Sequence, residues 1–276
     1  MDPDRLTQEE YWDNYWRNLR LPSEIRKVPG NLYLNAILRV FDRYFPPDER
    51  LSILEIGGAP GQYLAYMHRT FGYSVHCLDY SKMGCLKAKE NLELLDIRGT
   101  VHHADLFSEE LQLSQFDIVY SLGFVEHFSD PGMVIERHLR LLKPGGILLI
   151  GLPNFLGIYR FFLKRLSPEL LASHNLRFMD IRTWGEFEKN LDLQILFKGY
   201  VGGFEPRLFS RRGARGSSRA VLGVARALDR VFHSHLGLLR KLNSRLTSGY
   251  AIGVYRKAGH PGPNGRPPRP SPSVSL

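Results

Sequence analysis

Cysteine is nearly missing from this 276-residue chain: only Cys77 and Cys85 occur, and neither has metal-ligand spacing. A disulfide framework and a cysteine-based zinc site are thereby excluded, and two buried, reduced thiols in a cytoplasmic protein are the expected state. The opening residues, Met1-Asp2-Pro3-Asp4-Arg5, are acidic and no apolar stretch follows them, so a secretory leader is not expected. No apolar run reaches the ~18 residues that a membrane-spanning helix needs. Internal repeats are absent. Residues 258–276 are rich in Pro, Gly and Ser and too poor in apolar side chains to offset the entropy of ordering, so a disordered tail is expected there. The remainder carries enough of the 43% hydrophobic residues for a full core, which points to one globular α/β unit with additions.

Acids are scarce in one region only. Residues 207–257 contain twelve Lys and Arg against a single acid, Asp229, so this stretch carries more than the whole chain's net charge of +9. Within it Val221, Val224, Leu228, Val231, Phe232, Leu239, Leu242 and Leu246 recur at helical spacing among Arg226, Arg230, Lys241 and Arg245. The pattern is that of a basic amphipathic helix or helix pair. A helical lid with a solvated basic face, a surface for anionic lipid, and a nucleic-acid contact all suit it.

The most informative stretch is Ile53-Leu54-Glu55-Ile56-Gly57-Gly58-Ala59-Pro60-Gly61, an apolar run closed by an acid and a glycine-dense turn. Glycines at 57, 58 and 61 open positive φ to the turn and keep Cβ atoms away from a bound nucleotide. Tyr63, Leu64, Met67 and Phe71 then return at helical spacing. A second apolar run, Val75-His76-Cys77-Leu78, ends in Asp79, where a neighbouring parallel strand delivers a carboxylate to ribose hydroxyls.

With its loop reading E-x-G-x-A-x-G, the chain resembles the class I S-adenosylmethionine-dependent methyltransferases, whereas a dinucleotide loop reads G-x-G-x-x-G. Ala59 stands where the family often has its middle glycine. The resemblance continues through His102-His103-Ala104-Asp105-Leu106-Phe107, a third strand end; Phe116-Asp117-Ile118-Val119-Tyr120-Ser121, a fourth strand; and Leu141 to Ile150, read as helix end, a turn at Pro144-Gly145, and a fifth strand. It implies a Rossmann-like three-layer α/β sandwich on a seven-stranded, mostly parallel sheet with an antiparallel seventh strand. It also implies S-adenosyl-L-methionine as cofactor. Carried over residue by residue, Glu55 lies near the methionine amino group, Gly57, Gly58, Ala59 and Gly61 wrap the cofactor, Asp79 with Tyr80 binds the ribose, and Asp105 with Leu106 meets the adenine. Ser121 at the fourth strand end joins the cofactor set.

The implied organisation is an N-terminal helical cap over 1–47, a cofactor-binding core over 48–206, the basic insertion over 207–247, the last core strand over 248–257 and the tail over 258–276. Thr7 has capping-box spacing to Glu10 and opens a helix bearing Tyr11, Trp12, Tyr15 and Trp16, aromatics read as packing against the sheet in preference to touching a ligand. Asn31 caps a second helix that Pro46 and Pro47 end. Phe155 to Leu171 reads as one helix, Asp192 to Tyr200 as strand six and Gly249 to Tyr255 as strand seven.

Glu126 and His127 follow the fourth strand, at the edge where open α/β sheets place ligands. The pair resembles the E-H signature of small-molecule members such as ubiquinone-type O-methyltransferases. His127 is the candidate base for an acceptor that must lose a proton, with Glu126 orienting it or holding a metal. Asn154, His174 and Asn175 are candidate acceptor contacts. Ser121-Leu122-Gly123-Phe124 stands where amine-directed nucleic-acid enzymes carry a D/N-P-P-Y-like motif, and neither cysteine follows a proline. A small-molecule acceptor, apolar or lipid-like, is therefore expected, methylated on oxygen or nitrogen without a required metal. RNA methylation is the runner-up, and a non-catalytic cofactor-fold binding protein is a further alternative. The expected location is cytoplasmic, with peripheral contact to anionic membrane through 207–247.

Overall fold

A computed structural model describes residues 4–29, 31–205 and 243–259, together with Gly223. Most of the basic segment 207–247 and of the tail 258–276 lies outside the described residues, and with it the expected amphipathic helices. The chain begins with helices α1 (Glu9–Arg17) and α2 (Leu32–Tyr44). It then alternates through β1 (Ser52–Ile56), α3 (Gln62–Phe71), β2 (Ser74–Asp79), α4 (Lys82–Leu94), β3 (Gly99–His103), β4 (Phe116–Leu122), α5 (Pro131–Arg140) and β5 (Leu142–Pro153). Helices α6 (Gly157–Leu166), α7 (Pro168–Ala172) and α8 (Gly185–Asn190) precede β6 (Leu193–Val201) and β7 (Tyr250–Lys257).

One seven-stranded sheet runs in the order β3-β2-β1-β4-β5-β7-β6, and β7 pairs antiparallel with both neighbours, as expected. Strand order reverses between β1 and β4, which opens a crevice at the carboxyl ends of the parallel strands. Ile53 and Leu54 of β1 and Leu148, Leu149 and Ile150 of β5 are fully buried, because a central parallel strand is covered on both faces and needs apolar side chains on both. On one face α2, α3 and α4 supply Ile37, Phe41, Leu64, Met67 and Leu92 to the core. On the other, α5 and α6 supply Val134, Ile135, Tyr159 and Phe162, joined by Trp184 and Phe187.

Several local expectations are corrected. Thr7 does not cap α1: Gln8 precedes the helix without a side-chain cap, and the Thr7 hydroxyl instead accepts the indole N–H of Trp12 at 3.1 Å. Nor does α1 pack on the sheet. It has no buried residue, and Tyr11 and Tyr15 are 45% and 46% exposed. Pro144-Gly145 does not end a helix, since α5 stops at Arg140; the pair loops out of β5 where its register against β4 jumps from Leu142 to Ile147. Phe155 to Leu171 is split into α6 and α7, with Pro168 opening the second. Asn31 caps α2 as expected, accepting from the Leu34 N–H at 3.1 Å. Among the described residues no helix is long and apolar enough to cross a membrane.

Candidate active site

Gly57 takes φ +68° and Gly61 φ +79°, and the turn closes on itself through Gly61 N–H to Gly58 O at 2.7 Å. A Cβ on Gly57 would lie 2.6 Å from the Phe124 ring, so both the backbone sign and the space require glycine. Gly58 is glycine for a different reason: it is not in the left-handed region, but a Cβ there would meet the Glu55 side chain at 2.9 Å. Gly61 then heads α3, accepting the Ala65 N–H.

Two acids end the adjacent strands β1 and β2. Glu55 is buried, its Oε2 has no hydrogen-bond partner among the described residues, and burial pushes its carboxyl up to about 8, with the Tyr120 hydroxyl acting against that rise and the Asp79 charge adding to it. Asp79 accepts from the Ser81 N–H at 2.9 Å and the Ala59 N–H at 3.3 Å. Burial nonetheless raises it to about 6, because two N–H donors only partly replace lost hydration. Both acids line one cavity of about 390 Å³ together with Gly57, Gly58, Ala59 and Tyr80.

The opposite wall is built from parts far apart in sequence. After β4 a single 3₁₀ turn, Val125–His127, buries all three of its residues. The His127 ring lies 4.3 Å, centroid to centroid, from the buried ring of His174, and both line the cavity with Glu126. His127 Nδ1 meets the Ser173 carbonyl at 2.8 Å and His174 Nδ1 the Leu170 carbonyl at 2.6 Å. The Asn175 N–H donates to the Glu126 carbonyl at 2.6 Å, tying the loop after α7 to the turn after β4.

The N-terminal segment lines the same cavity. Arg5 bridges to Phe128 as an isolated antiparallel pair, and the Leu6 N–H donates to the His127 carbonyl at 2.8 Å. The Arg5 guanidinium donates to both Asp105 oxygens at 2.5 Å and sits 4.8 Å over the Tyr80 ring. Trp12 meets His127 edge to face at 5.0 Å. Asp13 accepts from Ser81 Oγ and the Met83 N–H, docking α1 onto the start of α4. The Ser81 bond is the main reason its carboxyl falls below the ordinary range.

Of the sequence-derived candidates, the cavity lining thus gathers Glu55, Gly57, Gly58, Ala59, Asp79, Tyr80, Glu126, His127 and His174. Asp105 and Leu106 edge a small adjoining recess with Arg5 and Phe124. Gly61, Ser121, Asn154 and Asn175 are not in the cavity lining. Ser121 Oγ pairs with Nε2 of His138, whose ring burial holds neutral at a value of about 4 and whose Nδ1 meets the Val134 carbonyl. Asn154 donates to the Arg245 and Ser248 carbonyls, fastening the chain that leads into β7. Asn175 donates to the Phe128 and Ser129 carbonyls. Each of these polar groups answers a backbone or ring partner before any ligand. Arg5 and Trp12 were missed as site residues. An arginine at a chain start carries no local signal, whereas the aromatic density of 11–16 was a signal whose direction the sequence left open.

Residues 54–150 match the family model of a methyltransferase domain. The chain is similar to the ubiquinone biosynthesis O-methyltransferase of Caulobacter vibrioides, 30% identical over 55% of this chain and 60% of the relative. It is also similar to the mitochondrial ubiquinone biosynthesis O-methyltransferase of Dictyostelium discoideum, 27% identical over 55% of this chain and 49% of the relative. The chain therefore spans about half the length of the curated relatives it matches. A solved S-adenosylmethionine-dependent methyltransferase from Thiobacillus denitrificans, in complex with S-adenosyl-L-homocysteine, shares the fold with a TM-score of 0.54 at 16% identity, over 90% of this chain and 98% of that one.

Proposed function

We propose, for a chain that carries a class I S-adenosylmethionine-dependent methyltransferase domain, that it transfers a methyl group to an oxygen or nitrogen of a small, largely apolar metabolite. The residues fit the cofactor on two counts. Glu55 presents a buried carboxyl oxygen without a partner among the described residues, which a cationic amino group would satisfy, and the glycine turn leaves a cradle that side chains would fill. Glu55 would hold the methionine end, Asp79 and Tyr80 the ribose, and Asp105 with Leu106 would meet the adenine. When bound, S-adenosylmethionine supplies a methyl group on a positively charged sulfur.

The chain's own contribution is alignment and proton handling. A fixed acceptor beside a fixed donor removes most of the entropic barrier to an in-line displacement. Tyr33, Tyr63, Phe124, Leu170 and Tyr250 line the same cavity and favour an apolar acceptor body. The Glu126, His127 and His174 cluster stands where the acceptor's polar end would lie and would take charge of its proton. One cavity that unites two buried acids at a glycine turn with this second cluster is the observation that carries the reading. The names of the two curated relatives favour oxygen as the acceptor atom.

The basic segment 207–247, most of it outside the described residues, would bring the chain to anionic lipid where such an acceptor partitions. Calorimetry should show one S-adenosylhomocysteine per chain at micromolar affinity, and labelled methyl from S-adenosylmethionine should enter an organic-extractable, not an RNA, fraction of cell extract. Absence of cofactor binding would remove the proposal, and label in RNA would replace its acceptor. Loss of binding to phosphatidylserine vesicles on deletion of 207–247 is the parallel expectation for the basic segment; unchanged binding would rule out its lipid role.

A further inference from the structure

We infer that a second groove, lined by α5 and α8, is the docking site for residues 260–276 of this same chain, bound in cis. The groove has a volume of about 530 Å³, shares no lining residue with the methyl-transfer cavity, and has an apolar floor of Met133, Phe178, Phe187 and Leu191. Its rim is acidic, with Asp130, Glu136 and Glu186 against a single cation, Arg177. Asp130 is engaged at the start of α5, where its Oδ1 accepts the Met133 N–H at 3.2 Å. Glu136 and Glu186 are exposed and enter no ion pair among the described residues, so their charge is open to an incoming cation.

Residues 260–276 carry the complementary chemistry. They include Arg266 and Arg269, no acid, and the prolines 261, 263, 267, 268, 270 and 272. Each proline holds φ near about −65°, so little backbone freedom is left to lose on binding, and proline-rich segments dock on apolar, aromatic-lined grooves for that reason. The point of departure is beside the groove. Lys257 at the end of β7 pairs with Leu193, two positions past Leu191, and its Nζ donates to the carbonyl of Leu139, three positions past Glu136 on α5. Seventeen residues at about 3.1 Å each reach roughly 50 Å, whereas the ten residues of α5 at about 1.5 Å each span only about 15 Å. A segment tethered this close meets its groove at an effective concentration in the millimolar range, which favours the cis contact over one between copies. Asn175 lines the groove and donates its N–H to the Glu126 carbonyl, so the docked segment braces a loop of the acceptor wall and leaves the cofactor wall untouched.

A chain shortened to end at Gly259 is titrated by calorimetry with a synthetic peptide of residues 260–276. One peptide per chain is expected, at a micromolar Kd that weakens with added salt. The full chain, its groove already filled, should bind the peptide at least about tenfold more weakly. Glu136→Lys combined with Glu186→Lys in the shortened chain should weaken the peptide by about tenfold or more and leave S-adenosylhomocysteine affinity within about twofold. If the shortened chain fails to fold, full-length Arg266→Glu with Arg269→Glu takes its place, because that variant should release its own segment and accept the unaltered peptide. No uptake by the opened chain, uptake indifferent to the acid reversal, or equal uptake by the unaltered full chain would overturn the inference. A full chain that dimerises with rising concentration, beside a shortened one that does not, would also overturn it by giving the groove to a second copy.

Discussion

The two walls of the cavity are made in different ways. The wall of Glu55, the glycine turn and Asp79 comes from two short strand ends that are neighbours in one sheet, paired in register from Ser52 with Ser74 to Ile56 with Leu78. The facing wall joins Arg5, Trp12, Glu126, His127 and His174, drawn from the N-terminal segment, the turn after β4 and the loop after α7. The first wall is rigid because the sheet positions it. The second depends on loops fastened to one another, the kind of construction that can change with the acceptor while the cofactor wall stays the same.

The largest effect on this contrast should come from Gly57→Val. A Cβ 2.6 Å from the Phe124 ring at φ +68° combines overpacking with left-handed strain, about 2–5 kcal/mol in total, and it damages the sheet-built wall directly. Thermal unfolding should fall accordingly, and S-adenosylhomocysteine affinity should drop at least a hundredfold. A variant that binds normally would mean the turn does not face the cofactor.

A smaller, pH-dependent effect sharpens the electrostatics of the same wall. With its carboxyl raised to about 8, Glu55 is mostly protonated at neutral pH and must ionise to meet a cationic amino group. Affinity for S-adenosylhomocysteine, which keeps that amino group, should rise with pH, by up to about tenfold per unit, and level off above about 8. Binding below that point should release a proton, seen as a dependence of the calorimetric enthalpy on buffer. Glu55→Gln should flatten the rise. Without ligand the sign is opposite for stability. A carboxyl that folding raises from 4.5 to about 8 makes the native state bind more protons across that window, so stability from this group is lost as pH climbs through it. An affinity independent of pH from 6 to 8 would place the amino group elsewhere.

The smallest effect tests whether the walls communicate. Arg5 joins the N-terminal segment to Asp105 of the cofactor side, so Arg5→Ala should speed S-adenosylhomocysteine release about three- to tenfold with little change in melting temperature. Stopped-flow tryptophan fluorescence can follow it, since Trp12 and Trp16 line the cavity. Slower release would instead mean that Arg5 competes with the ligand for Asp105.

Much of the sheet was legible because its signals are local. An apolar run, an acid and a glycine turn occupy nine consecutive residues from Ile53 to Gly61, and the strands β1, β2 and β4 to β7 all lie within or beside the expected segments. Side-chain direction was less legible. Ser121, Asn154 and Asn175 lie at the expected strand and loop ends, yet each turns to a backbone or ring partner, a choice that sequence spacing does not encode. The aromatic face of α1 was visible as a cluster, but whether it met the sheet or the cavity depended on where Asp13 would dock.

By itself the sequence determined the sheet, its glycine turn and the two acids at the ends of adjacent strands, because strand periodicity and left-handed glycine geometry act over a few residues. Tertiary structure alone decided that His174 would stand against His127 and that Arg5 would reach Asp105 one hundred positions away. Those contacts arise from how separate elements pack, and the free energy that selects them is spread over the whole core rather than written at either residue.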